Sequence, residues 1–166
     1  MVVLRCTQKL LVRLKRTDVS ADTESTTLLG DWYGNILRIG RQQYLLFISE
    51  RSRLPVVIPI REMRRLETIF PDSVCAALNA VGVAPDDIAD ERSRMSTIAF
   101  GKTRNRSLLG TLNDFAFMAQ QGTGRRQAPE SPEDLMRFLS RTPILPMDGA
   151  NPAALTHAAF SSRSSR

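Results

Sequence analysis

The sequence predicts an α+β fold: a single domain with a mainly antiparallel sheet of about five strands, helices packed on one face, and a C-terminal extension. Three observations carry this expectation. Short β-branched and aromatic runs cluster between Trp32 and Pro59. Apolar residues at helical spacing follow that cluster, from Leu66 to Val81 and again from Leu108 to Ala119. Finally, 166 residues of which 42% are hydrophobic suit one core rather than two.

The elements follow in order. Val2 to Arg5 reads as a short opening strand. Thr7 caps a helix running to Arg16, with Leu10, Leu11 and Leu14 on its buried side and Lys9, Arg13 and Arg16 on the wet side. "TDVSADTEST" is polar and aperiodic, hence a loop. "NILRI" and "YLLFIS" flank Gly40 to Gln43 as a hairpin. "LPVVIPI" carries Pro55 and Pro59, which cannot donate to a ladder, so it is an edge or a buried terminal strand. The helix over Leu66 to Val81 is started or bent at Pro71 and stopped at Gly82. A short helix in "PDDIADERSRM" places Asp86 and Asp87 at its positive end. "STIAF" is the last strand and is expected to pair with the first, while the Trp32–Pro59 meander forms the middle of the sheet.

After Gln121 the composition changes. "GTGRRQAPESPED" has linker character, and Ser131 to Asp134 cap a small helix ending near Arg141. From Pro143 the prolines, small residues and Ser/Arg end read as a flexible or loosely docked tail. The expected division is therefore an α+β domain over residues 1–121 and an extension over 122–166.

Composition excludes several chemistries. Cys6 and Cys75 stand apart without a Cys-x-x-Cys partner, and His157 is the only histidine. Zinc sites and Ser-His-Asp or Cys-His pairs lack material, so no metal or cofactor is expected, and no catalytic residue is assigned. No apolar run approaches a membrane span, and the N-terminal stretch lacks the order of an export signal. The expected setting is cytoplasmic. The net charge of +6 allows a nucleic-acid partner, but 20 of the 23 cations are arginine, which GC-rich coding also produces.

The densest polar motif is "KTRNRSLLGTLNDFAF", residues 102–117. Ser107 or Asn105 is a natural N-cap for the helix, and Leu108, Leu112, Phe115 and Ala119 share its inner face. Lys102, Arg104, Asn105, Arg106 and Ser107 form a candidate anion site, because free N–H groups of a first turn and nearby cations hold phosphate or carboxylate. The competing reading is a capped junction with solvated arginines, one of them paired with Asp114. Gly110 costs about 1 kcal/mol inside a helix and suggests close approach of a neighbour or a ligand. Secondary candidates are Trp32 and Tyr33, either of which could stack a base though only one can face a given surface, Asn35, which could hydrogen-bond a base, and Asp31 or Asp114 as a general base; Trp32 otherwise anchors the core.

The segments "LRCTQKLL", "LLGDWYGNIL", "LLFISERSRLPVVIP" and "KTRNRSLLGTLNDFAF", in that order, resemble an uncharacterised bacterial family, a domain of unknown function. The resemblance covers residues 1–121. It implies a small cytosolic α+β domain and supplies no activity, cofactor or site residue. The function expected first is a binding or regulatory module, not an enzyme, acting on nucleic acid or a phosphorylated ligand. An enzyme of phosphorylated or nucleotide substrates, with Arg104 and Arg106 as clamps, is the alternative, and a protein-protein module the third.

Overall fold

The computed structural model describes residues 1–19, 22–122 and 131–164. Five strands form one sheet: β1 (Val2–Cys6), β2 (Trp32–Ile39), β3 (Gln42–Ser49), β4 (Pro55–Pro59) and β5 (Ile98–Lys102), in the order β4-β3-β2-β1-β5. The predicted fold class stands: an α+β domain with helices against a five-stranded sheet and further helices after it. The β2–β3–β4 meander is antiparallel, while β1 lies parallel to both β2 and β5. The sheet is therefore mixed, and its antiparallel half is the half legible as a hairpin. The first strand does pair with the last, over all five residues of each. β2 takes the centre, and the proline-bounded β4 is an edge, where its missing donors cost least.

Helix α1 (Gln8–Leu14) starts at Thr7, whose hydroxyl accepts from the Leu10 amide, and stops at Lys15 in the left-handed region. A 3-10 turn over Ile60–Arg65 leads into α2 (Leu66–Ala80), which carries Pro71 within it. Strand alternation puts Trp32 and Phe47 on one face of the sheet, where Phe70 of α2 meets both rings edge-on at 5.4 and 5.2 Å. The intervening Gly34 lies under the Phe47 ring, and an added Cβ would fall 2.3 Å from a ring carbon. Tyr33, Leu46 and Ile48 point the other way and are also fully buried, so the second face of the central strands is covered as well.

Helix α3 (Pro85–Ser93) uses Glu91 as an internal clamp. Its carboxylate is wholly buried and accepts from the Leu28 and Leu29 amides at 2.8 and 3.0 Å. Helix α4 (Arg106–Gly122) buries Leu108, Leu112, Phe115 and Ala119, the face its spacing predicts. Helix α5 (Pro132–Ser140), capped by Ser131, packs Leu135, Met136 and Leu139 into the same core.

The C-terminal stretch read as a flexible or loosely docked tail contains helix α6 (Pro152–Ser164). Asn151 caps it through the Ala154 amide at 2.9 Å, and alanines at 153, 154, 158 and 159 favour the helix. Thr156 is fully buried and donates to Ser52 in the β3–β4 turn at 2.9 Å, and Phe160 joins the core. The expected linker falls mostly on residues 123–130, outside the described residues.

Candidate functional site

The polar centre of the molecule is built where β1, β2 and β5 run side by side. Pairing sets Arg5, Tyr33 and Gly101 level with one another, on the sheet face opposite Leu4 and Trp32. Arg5 is 1% exposed, and its Nε donates to Asp31 Oδ2 at 2.7 Å, while an Nη donates to the Thr23 carbonyl at 2.5 Å. The other Asp31 oxygen accepts from the Ser25 amide and hydroxyl at 2.9 and 2.8 Å. Gly101 has no side chain for a steric reason: a Cβ there would lie 2.6 Å from Arg5 Nη1. Arg5 and Asp31 thus hold the 22–31 segment over β1, with Glu91 clamping the same segment from α3.

Arg104 reaches this pair from the β5–α4 connection. Its guanidinium lies 3.7 Å from Asp31 Oδ2 and 3.3 Å from Glu24, and its side chain is 44% exposed. It pairs with these acids rather than with Asp114. The helix that follows is capped by Asn105, whose Oδ1 accepts from the Leu108 amide at 3.2 Å. Of the two residues suited to the cap, Asn105 takes it, and Ser107 faces Arg53 instead.

Arg53, in the β3–β4 turn, was not legible as a site residue. It adopts φ +60°, uncommon for a side-chain-bearing residue, and is 9% exposed. One Nη donates to the Glu50 carbonyl at 2.5 Å and the other reaches Ser107 Oγ at 3.5 Å, while Nε has no partner. The Tyr33 hydroxyl is likewise buried without a hydrogen-bond partner. Burial first, and then the Glu50 carboxylate, raise the Tyr33 pKa, opposed by Arg104 and Arg5. Arg104 lies beside the hydroxyl, but the two groups do not reach hydrogen-bond geometry. Burial lowers the Arg53 pKa, with Glu50 partly compensating. Burial also works against the Arg104 charge, but Tyr33 and Asp31 outweigh it and its pKa is raised.

The structure does not gather all the expected residues. Lys102 ends β5 level with Cys6, on the face opposite Gly101 and Arg5, so it diverges from Arg104. Arg106 is the first residue of α4 and is exposed. Gly110 is open: an added Cβ would meet nothing within 4 Å, so no neighbouring element explains it. Trp32 is fully buried against Phe70 and anchors the core, leaving no face for a base. Asn35 Oδ1 accepts from the Thr7 hydroxyl and the Ile36 amide, which ties α1 to β2. Asp114 is exposed on α4, beside a shallow pocket closed by Ile144 and Leu145.

Elsewhere, a groove of about 250 Å³ is lined by Lys15, Arg16, Arg64, Glu67 and Phe100. Arg16 is already engaged there, stacked 4.3 Å from the Phe100 ring centre and paired with Glu67. Among the described residues no cluster of three or more His, Cys, Asp or Glu side chains could hold a metal ion. No helix among them is long and apolar enough to cross a membrane.

Fold and site together define a small α+β domain organised around a buried Arg–Asp pair at a strand-helix junction. The chain belongs to a family described as a domain of unknown function, DUF6933, whose model matches residues 3–155. That match runs through α5 and into α6, so the family extends beyond the residues 1–121 on which the resemblance was placed. No curated protein and no solved structure matches the chain.

Proposed function

We propose that this domain is a binding or regulatory module whose site for anionic ligands lies at the β5–α4 junction, around residues 102–107. The observation that carries the reading is that Arg104, just before α4, and Arg53, which reaches Ser107 in its first turn, both act on Tyr33, and that the Tyr33 hydroxyl and Arg53 Nε are buried without a hydrogen-bond partner. Buried polar groups are nearly always satisfied, so unpaired donors next to a helix N-terminus favour an anion there. The enzymatic alternative is less well supported, because both Asp31 oxygens are occupied by Arg5 and Ser25. We place the module's setting in the cytoplasm and its ligands among phosphate-bearing molecules, nucleic acid included.

The test is the double change Arg104→Gln with Arg106→Gln, assayed on a single-stranded oligonucleotide and on phosphorylated small molecules. The variant should fold, because both side chains are largely exposed and such changes usually cost within about 0.5 kcal/mol. It should bind the ligand more weakly, and with a shallower salt dependence if that ligand is nucleic acid. Unchanged binding would remove the junction from consideration. Severe destabilisation would make the arginines structural partners of Glu24 and Asp31.

A further inference from the structure

We propose that Tyr33 Oη and Arg53 Nε form a recessed seat for a single phosphate group, covered in the unliganded protein by Arg104. This rests on the reading of the β5–α4 junction as an anion site and adds the inner residues and the ligand class.

Among the described residues three buried side-chain donors lack a partner, and two of them, Tyr33 Oη and Arg53 Nε, belong to groups that act on each other electrostatically. Tyr33 is fully buried and Arg53 is 9% exposed, so neither group is satisfied by bulk water. Both sit within electrostatic reach of each other and of Glu50, and Arg53 touches Ser107 in the first turn of α4. Leaving such donors unpaired is costly, and their position is over-determined. Tyr33 is fixed by strand pairing, and Arg53 by a left-handed backbone and its bond to the Glu50 carbonyl.

Arg104 is the cover. It is the exposed group beside the Tyr33 hydroxyl, and its ion pairs, at 3.3 Å to the exposed Glu24 and 3.7 Å to Asp31, are long. Pairs of that kind contribute little, so the side chain can swing outward and return onto an anion. Moving that one side chain aside would make room for a group of similar size. A terminal phosphate fits such a recess, whereas the phosphodiester of a polymer, flanked by sugars on both sides, does not.

Glu50 refines the choice of anion. A carboxylate beside the seat repels an ion that has only acceptors, but accepts from one that keeps a proton. Inorganic phosphate keeps one near neutral pH, a monoester does so only below about pH 6, and sulfate does not. The seat therefore prefers phosphate to sulfate.

The experiment is calorimetric titration of the full chain with inorganic phosphate and with sulfate, for the wild type, Tyr33→Phe, Arg53→Lys and Arg104→Gln. Tyr33→Phe removes an unpaired buried hydroxyl, so its thermal midpoint should equal or exceed the wild type's, while phosphate affinity falls roughly tenfold or more. Arg53→Lys should lose a similar factor, and sulfate should bind the wild type more weakly than phosphate. Phosphate binding that Tyr33→Phe leaves unchanged overturns the seat, and a bound water then satisfies the hydroxyl. If Arg104→Gln still weakens binding in that case, the anion site at the junction survives without its inner residues. Sulfate bound as tightly as phosphate overturns the ligand assignment. A wild type that ignores phosphate but binds an oligonucleotide in a salt-dependent way overturns the seat alone. A wild type that binds neither overturns both readings.

Discussion

Arg5 illustrates how a single residue escapes a pattern reading. In "VVLRC" it looks like an ordinary cation in a short strand, because its partner Asp31 stands 26 residues away. Burial of both makes the pair indispensable once formed. Asp31→Ala removes the buried carboxylate to which Arg5 Nε donates and is expected to destabilise the protein by about 3–5 kcal/mol, read from the denaturant midpoint. A midpoint unchanged by that substitution would mean water reaches Arg5. Cys6 makes a pH-dependent prediction at the same scale. Burial pushes its thiol from about 9 up to about 12, against a smaller opposing effect of Arg16. Its contribution to stability is then fully present below about pH 9 and is lost as pH rises toward 12. Between pH 8 and 11 the wild type should lose more stability than Cys6→Ala. Parallel curves would show that the thiolate is tolerated in the core.

At the scale of elements, local features are legible in the sequence and so is the pairing of the first strand with the last, while the direction and neighbours of β1 are not. The hairpin, the Thr7 cap and the inner face of α4 follow from turn residues, a hydroxyl and a spacing, all within a few positions. The parallel placement of β1 between β2 and β5 depends on contacts across nearly the whole domain, which no local pattern encodes. Helix α6 was obscured for another reason. Its alanines and the Asn151-Pro152 start look like low-complexity chain until Thr156 and Phe160 find Ser52 and the core. Within α4, Gly110 has neither a neighbour nor a positive φ to justify it. Gly110→Ala should raise stability by about 0.5–1 kcal/mol. If that variant is stable but binds anions less well, the open side of Gly110 faces the ligand. A loss of stability would instead reveal a contact the open surface does not suggest.

On the scale of the whole molecule, the site was half legible. The junction over residues 102–107 announced itself through composition, and Asp31 was singled out beside it. Arg53 was not, because an arginine in a turn carries no signal until the fold brings it to α4, and Tyr33 was legible only as a ring beside Trp32 that could stack a base. The core likewise crosses the boundary that composition draws at residue 121. Leu135, Met136, Leu139, Ile144 and Phe160 belong to the same apolar cluster as β4 and α2. A chain ended at residue 121 is therefore expected to unfold at markedly lower denaturant than the full chain and to expose an apolar surface to a hydrophobic dye. An identical midpoint would show that residues 1–121 are self-sufficient after all.

The claim on which these readings converge is that anions dock at the first turn of α4. Backbone amide chemical shifts followed through a phosphate titration test it at every position at once. The first and largest shifts are expected on residues 103–108 and on Tyr33 and Arg53. Shifts confined to Lys15, Arg16 and Arg64, or to none of these residues, would contradict it.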